Sequence, residues 1–209
     1  KKGKNKLAVK VFRYSTGSWL EDQDFFRFSG IFRDVWLFTK PACHLEDLFV
    51  KTKLTGNYQK AELRLCMRYE FHETACLSLQ QGNAYAEYTL TDPSGKVSEV
   101  LRQQIRGQQS VNQTVEAAQF KQPDVYTDEQ ILQVEKPELW SAEIPKLYTL
   151  QITVYSGAGA LLETVTQKIG IREFAVRDAV MELNGKRIVF RGVDRHEFCV
   201  DHGRVLPVE

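Results

Sequence analysis

The stretch AELRLCMRYEF, from Ala61 to Phe71, places apolar residues at every odd position and, Cys66 apart, charged residues at every even one. Because successive side chains of a β-strand point to opposite faces, this period of two predicts a strand with one buried and one solvated face. We expect Cys66 to be a structural, buried cysteine, since free cysteine behaves as a small hydrophobe.

The same alternation recurs along the chain and predicts an antiparallel, all-β protein, with helical periodicity nearly absent. Asn184–Lys186, reading NGK, is a strong hairpin signal, and Thr91–Lys96, reading TDPSGK, predicts a turn. The predicted strands are Lys6–Tyr14, Ile31–Thr39, Leu45–Leu54, Ala61–Phe71, Ala84–Thr91, Ser110–Ala118, Leu147–Tyr155 and Leu161–Ile171.

Composition narrows the class of protein. The chain has 209 residues, of which 43% are hydrophobic and 26% charged, so a buried core is expected. A net charge of +1 argues against a nucleic-acid partner, and the lack of a run of about 18 apolar residues argues against a membrane partner. Four scattered cysteines show neither zinc-ligand spacing nor a disulfide framework, and the cellular compartment stays open.

Strand spacing divides the sequence into three zones. Residues 41–171 hold six or seven predicted strands, which is typical of an immunoglobulin-like β-sandwich. Residues 1–40 hold two strands, and residues 172–209 hold a hairpin, a strand-like segment and a polar tail. Two isolated strands are at best marginally stable in water, so we expect the chain to be a fragment of a longer protein.

The segment SWLEDQDFFRFSGIFRDV, from Ser18 to Val35, sets three acids beside three phenylalanines in a predicted loop. Acids next to aromatic rings are typical of sugar-binding loops on a rigid scaffold. For Glu21 and Asp22 a solvated turn, or an ion pair to Arg27 or Arg33, remains open.

A second candidate site is RGVDRHE, from Arg191 to Glu197. A strand followed by a polar loop is how barrel enzymes present active-site residues, although a histidine and an acid in a loop can equally form a polar cap. The spacing of His196 and His202 does not favour a metal site. In PELWSAEIPKLYTL, from Pro137 to Leu150, we expect Trp140 to fill core or interdomain space.

Three segments, GSWLEDQDFFRFSGIFRDVWLFTKP, PELWSAEIPKLYTL and LNGKRIVFRGVDRHE, occur in an order and spacing that resembles glycoside hydrolase family 2, within it the large bacterial β-galactosidases of the lacZ type. The resemblance implies that residues 1–40 are the last strands of a jelly-roll sugar-binding domain, residues 41–171 an immunoglobulin-like sandwich, and residues 172–209 the start of a catalytic TIM barrel.

The resemblance also implies site residues. Asp24 matches the acid that binds a sodium ion and the region of the sugar 6-hydroxyl, and His196 matches a histidine that hydrogen-bonds the galactosyl hydroxyls. Asp194 stands where such enzymes usually have asparagine, so the hydrogen bonding around His196 is expected to differ.

For the parent protein the resemblance implies a retaining β-galactosidase acting on β-galactosides, a homo-oligomer that uses magnesium and sodium and is either cytoplasmic or exported. The catalytic glutamates lie far into the barrel in this family, so we expect no catalytic residue in the chain, no activity from it alone and no bound ion. The alternatives are a β-glucuronidase or β-mannosidase of the same family, or a non-catalytic immunoglobulin-like carbohydrate-binding module.

Overall fold

The structure is a computed structural model that describes residues 3–20, 30–71, 84–105, 108–110 and 124–207. Within these ranges the regular elements are α1 (Thr16–Leu20), β1 (Cys43–Thr55), β2 (Lys60–Phe71), β3 (Tyr85–Thr91), β4 (Val97–Gln104), β5 (Gln108–Ser110), β6 (Asp124–Glu135), β7 (Tyr148–Tyr155), β8 (Leu161–Ile169), β9 (Phe174–Arg177), β10 (Val180–Leu183) and β11 (Lys186–Arg187). None of the helices in the described ranges is long and apolar enough to cross a bilayer. Sheet dominates, which confirms the all-β fold class.

Two antiparallel four-stranded sheets form the sandwich, in the orders β1-β2-β6-β5 and β4-β3-β7-β8. Side chains from both sheets make one hydrophobic core. Its largest fully buried strand residues are Tyr69, Tyr88, Leu63, Leu65, Leu90, Leu132, Leu150 and Ile152. A third, three-stranded sheet, β11-β10-β9, follows the sandwich in sequence.

Strand β2 is the central strand that its alternation predicts. The odd-numbered residues from Ala61 to Tyr69 are all at most 3% exposed, and β2 pairs over its whole length with β1 and β6. Cys66 lies on the opposite face, half-buried, with its thiol 3.8 Å from Glu129 Oε2. The expectation of a core position for Cys66 was therefore wrong. Cys43, at the start of β1, is disulfide-bonded.

Strands β4 and β6 were not predicted. Strand β6 carries four charged or amide side chains between Asp128 and Gln133, which hides its alternation. Tertiary pairing with β2 nevertheless buries Leu132 and Val134, because strand formation depends on neighbours more than on intrinsic preference. Of the predicted strand Ser110–Ala118, only Ser110 is among the described residues, as the last residue of β5.

The chain divides into two compact units, one made of Lys1–Phe38 with Phe190–Glu209 and the other of Thr39–Val189. Neither Lys6–Tyr14 nor Ile31–Thr39 has strand structure, so these two strand predictions were wrong. A strand is stabilised by hydrogen bonds to a neighbour, and no strand among the described residues lies beside either segment. The domain boundaries at residues 40 and 171 stay predictions.

Two turns match their sequence signals. In the hairpin between β10 and β11, Asn184 and Gly185 have φ angles of 51° and 73°, the paired positive values of the predicted NGK turn. In the turn between β3 and β4, Asp92 Oδ1 accepts hydrogen bonds from the backbone N–H groups of Ser94 and Lys96, both at 2.9 Å. The hydrogen bond from the Ser94 hydroxyl, together with these two backbone bonds, lowers the pKa of Asp92.

Candidate functional site

His196 lies in the first compact unit, in an irregular segment that includes residues 190–198. The side chain of His196 is exposed, as are those of Asp194, Arg195 and Glu197. Arg195 Nε is 3.6 Å from Glu197 Oε1, so the two residues that flank His196 form an exposed ion pair with each other. The predicted barrel strand is confined to Lys186–Arg187, and the RGVDRHE segment that follows is irregular.

A tight turn follows the His196 segment. Cys199 and Gly203 exchange two backbone hydrogen bonds, of 2.7 and 2.8 Å, and Gly203 has a φ of 67°. The guanidinium of the next residue, Arg204, lies 5.7 Å from the ring centroid of Phe32, within cation–π range. This contact joins residues from the two ends of the sequence within one unit.

Asp24, the other predicted substrate-binding residue, lies outside the described residues, as do Glu21 and Asp22. The structure describes the approach to this segment: Ser18 Oγ accepts from the Ser15 N–H at 3.0 Å, and the Tyr14 and Trp19 rings stack at 6.5 Å. The sodium site at Asp24 and the magnesium requirement stay predictions.

A second constellation, in the second unit, was missed from sequence. Asn184 Nδ2 donates to the Trp140 carbonyl and Asn184 Oδ1 accepts from the Glu173 N–H, both at 3.0 Å. The Trp140 N–H in turn donates to the Ile171 carbonyl at 2.8 Å. Asn184 thus ties the β10–β11 hairpin to the segments before β7 and after β8. The NGK spacing predicts the turn, but nothing in it indicates a partner 44 residues away.

The Trp140 ring is held from two sides. A Cβ atom placed on Gly170 would lie 2.9 Å from Trp140 Cγ and Cδ1, so only glycine leaves room for the ring. The Arg172 guanidinium lies 4.7 Å from the ring centroid. Trp140 is half-buried in these contacts, which agrees with the structural role expected of it.

Comparison with known families identifies the chain. Residues 43–172 match the model of glycosyl hydrolases family 2, residues 1–41 that of the family 2 sugar binding domain, and residues 174–209 that of the family 2 TIM barrel domain. The chain belongs to glycosyl hydrolase family 2. The motifs PELW and LNGKR, which carried the resemblance, are the two segments that Asn184 and Trp140 bring into contact.

Family 2 relatives cover almost the whole chain. A β-galactosidase of Priestia megaterium is 40% identical over 205 residues, which cover 97% of this chain and 18% of the relative. A β-galactosidase of Clostridium acetobutylicum is 39% identical over 215 residues, which cover 100% of this chain and 20% of the relative. The chain therefore spans about a fifth of the length of these curated relatives.

Solved structures of the family show the same fold. A Bacteroides uniformis β-glucuronidase superposes with a TM-score of 0.67 at 25% identity, covering 89% of this chain and 21% of that one. A Ruminococcus gnavus β-glucuronidase superposes with a TM-score of 0.64 at 23% identity, covering 88% of this chain and 25% of that one. At 23% identity, the likeness to the Ruminococcus gnavus enzyme shows a shared fold alone.

Proposed function

We propose that this chain is the substrate-positioning part of a β-galactosidase that removes terminal non-reducing β-D-galactose with retention of configuration. The observation that supports galactose is the identity of 39 to 40% to β-galactosidases across 97 to 100% of the chain, against 25% to a β-glucuronidase. In this proposal the longer enzyme supplies the two catalytic carboxyl groups, about 5 Å apart, from the barrel that residues 174–209 begin.

Under this proposal His196 orients the sugar. A neutral imidazole offers one N–H donor and one acceptor nitrogen, which suits a pair of sugar hydroxyls that each donate and accept. The exposed position of His196 in the first unit leaves the ring accessible to a ligand. A hydrogen bond that strengthens as the sugar ring flattens lowers the barrier rather than merely holding the substrate.

Asp24 serves the other side of the sugar in the same proposal. A carboxylate accepts through two oxygens and forms charge-assisted hydrogen bonds, so it suits both the 6-hydroxyl region and a hard cation. A sodium ion bound there supplies a fixed positive charge beside the sugar. Neither Asp24 nor His196 breaks the glycosidic bond, so the chain alone is expected to be inactive.

Asp194 makes this site differ from the usual pattern. Asparagine both donates and accepts, whereas an ionised aspartate only accepts. We expect the carboxylate of Asp194 to favour an N–H donor on a neighbouring group, and thereby to change the hydrogen bonding around His196.

A chimeric enzyme tests the proposal. The region of the Priestia megaterium β-galactosidase that aligns with this chain is replaced by the chain, and kcat/KM is measured for nitrophenyl β-galactoside and β-glucuronide. Hydrolysis of the galactoside with little activity on the glucuronide is expected. Preferential glucuronide hydrolysis by the folded chimera would instead support a glucuronidase.

The isolated chain distinguishes the non-catalytic alternative. Calorimetric titration with galactose is expected to show weak or no binding, since the proposed site needs the rest of the enzyme. Tight, saturable binding of galactose by the isolated chain would point to a carbohydrate-binding module instead. A homo-oligomeric parent stays a prediction that the mass of the full-length enzyme would test.

A further inference from the structure

Three metal-ligating side chains meet at one end of the β1–β2 pair. His44 of β1 lies directly opposite Glu70 of β2 in the antiparallel register, and Glu46 follows His44 by two residues at a bulge between Leu45 and Asp47. One ligand atom from each of His44, Glu46 and Glu70 lies within 4.8 Å of the others. Register and bulge, rather than proximity in a surface loop, therefore fix the cluster.

The imidazole of His44 is held in the orientation that a metal ligand needs. The residue is only 4% exposed, and Nδ1 lies 2.9 Å from the Pro41 carbonyl oxygen. A carbonyl oxygen can only accept, so Nδ1 carries the proton and donates. Nε2 is then the ring nitrogen that a metal ion would use. Locking one ring nitrogen on a backbone carbonyl is the arrangement that orients histidine ligands in metal sites.

The two carboxylates of the cluster have cationic partners, one of which a metal ion would replace. Nε2 of His44 is 3.0 Å from Glu46 Oε2, so the two atoms can share a proton or bind the same cation. The Lys40 ammonium contacts the same Glu46 oxygen, and Arg68 lies 3.8 Å from Glu70 Oε1 and 4.0 Å from Glu46 Oε1.

The cluster has room for an ion with water ligands. It borders a cavity of about 490 Å³. The residues that line this cavity are Lys40, Pro41, Ala42, His44, Glu46 and Glu70. The Lys40 side chain is 37% exposed, so its flexible stem can swing away when a stronger cation arrives.

We propose that His44 Nε2, Glu46 and Glu70 bind a divalent transition-metal ion of the zinc class, which replaces the Lys40 ammonium at Glu46. One imidazole nitrogen and two carboxylates suit zinc, whereas magnesium and calcium prefer oxygen ligands alone. Tetrahedral zinc places its ligand atoms about 3.4 Å apart, given bonds of about 2.1 Å, so modest side-chain rotations close the site. The ion would tie the start of β1 to the end of β2.

Calorimetric titration of the chain with zinc chloride at neutral pH tests this site. Cys66 and Cys199, the free thiols among the described residues, are first replaced by serine so that they do not bind zinc. We expect saturable binding of one ion per chain. Glu70→Gln, which keeps the size of a half-buried side chain, is expected to weaken binding by about tenfold or more. Glu62→Gln on the same strand is the matched control and is expected to leave the affinity unchanged.

Lys40→Met provides the sharper measurement, because removing the competing ammonium should tighten zinc binding. Because an exposed ion pair of this kind is weak, its removal should raise the affinity for zinc by about twofold to fivefold. Lys53→Met, an exposed lysine on β1, removes the same charge away from the cluster and controls for net charge. Circular dichroism checks that each variant is folded.

The proposal is overturned if Glu70→Gln and Glu62→Gln bind zinc equally well, or if Lys40→Met fails to bind more tightly than Lys53→Met. Either result would mean that His44, Glu46 and Lys40 form only an ion-pair network. Loss of zinc binding in His196→Gln or His202→Gln, with the cluster intact, would likewise place the ion elsewhere.

Discussion

Asn184 Nδ2 donates a 3.0 Å hydrogen bond to the backbone carbonyl of Trp140, 44 residues earlier in the chain. The other end of the same amide accepts from the Glu173 N–H. A single turn residue therefore fixes both the hairpin after the sandwich and the segment that leads into β7. Residues 174–209 match the TIM barrel model of the family, so this clasp links the start of that match to the segment before β7.

Asn184→Ala should destabilise the second unit. The change removes one donor and one acceptor and leaves the Trp140 carbonyl and the Glu173 N–H without them, at a cost of about 1–3 kcal/mol in the free energy of unfolding. Urea denaturation measures the loss. Asn184→Gly tolerates the positive φ while lacking the amide, so it should lose nearly as much stability. Full stability of Asn184→Gly would show that the amide contributes nothing.

Gly170→Ala should also destabilise the protein. The added methyl would stand 2.9 Å from Trp140 Cγ and Cδ1, and overpacking of this kind typically costs about 1–3 kcal/mol. Thermal unfolding followed by circular dichroism checks this loss. Gly192→Ala, where no atom lies within 4 Å of the added carbon, is the matched control and should be neutral. Equal melting temperatures for the two variants would contradict the close packing.

Glu163→Ala should loosen the contact between the two sheets. Glu163 Oε2 of β8 accepts from the Leu45 N–H of β1 at 2.6 Å, next to the bulge in β1. Losing this acceptor leaves the partly buried Leu45 N–H without it. The cost is about 1–3 kcal/mol in the free energy of unfolding. Glu163→Gln retains an acceptor oxygen and should recover most of the stability in urea denaturation. Equal losses in both variants would indicate that the charge of Glu163, not the hydrogen bond, matters.

Stability should fall in alkali because of two buried tyrosines. The hydroxyls of Tyr69 and Tyr88 lie 3.5 Å apart in the core, and burial raises the pKa of Tyr88 to about 12 and that of Tyr69 well above its usual value. Between about pH 10 and pH 12 the unfolded chain loses these protons while the folded chain keeps them, so the free energy of unfolding decreases as pH rises.

Tyr88→Phe checks this pH dependence. Removing one such group should make the decrease shallower by about 1.4 kcal/mol per pH unit within that window. Identical slopes for Tyr88→Phe and the wild type would contradict a raised pKa at Tyr88.

Sequence alternation predicted the strands whose pattern is set by burial on one face. Strand β2 is the clearest case, since the residues from Ala61 to Tyr69 alternate in both sequence and exposure. Strand β6 escaped prediction because it gains its structure from pairing with β2 rather than from its own composition. At Lys6–Tyr14 the alternating pattern is present but no neighbouring strand is described. Alternation therefore predicted a strand that the structure does not have.

The candidate sites also divide into those that a local motif indicates and those that depend on contacts between distant residues. His196 was indicated by a local motif, and the structure places it on an exposed segment of the unit that joins both chain ends. The Asn184–Trp140 clasp and the His44–Glu46–Glu70 cluster were not predicted. Both depend on strand register and on contacts between residues distant in sequence, such as His44 opposite Glu70, which no local pattern encodes.

The most direct test of the proposed function is kcat/KM for β-galactoside hydrolysis in the chimera carrying His196→Gln, compared with His202→Gln. If His196 contacts the sugar more strongly in the transition state than in the ground state, His196→Gln should lower kcat/KM by at least about tenfold, while His202→Gln leaves it near the starting value. Equal kcat/KM values for the two variants would contradict a substrate-binding role for His196.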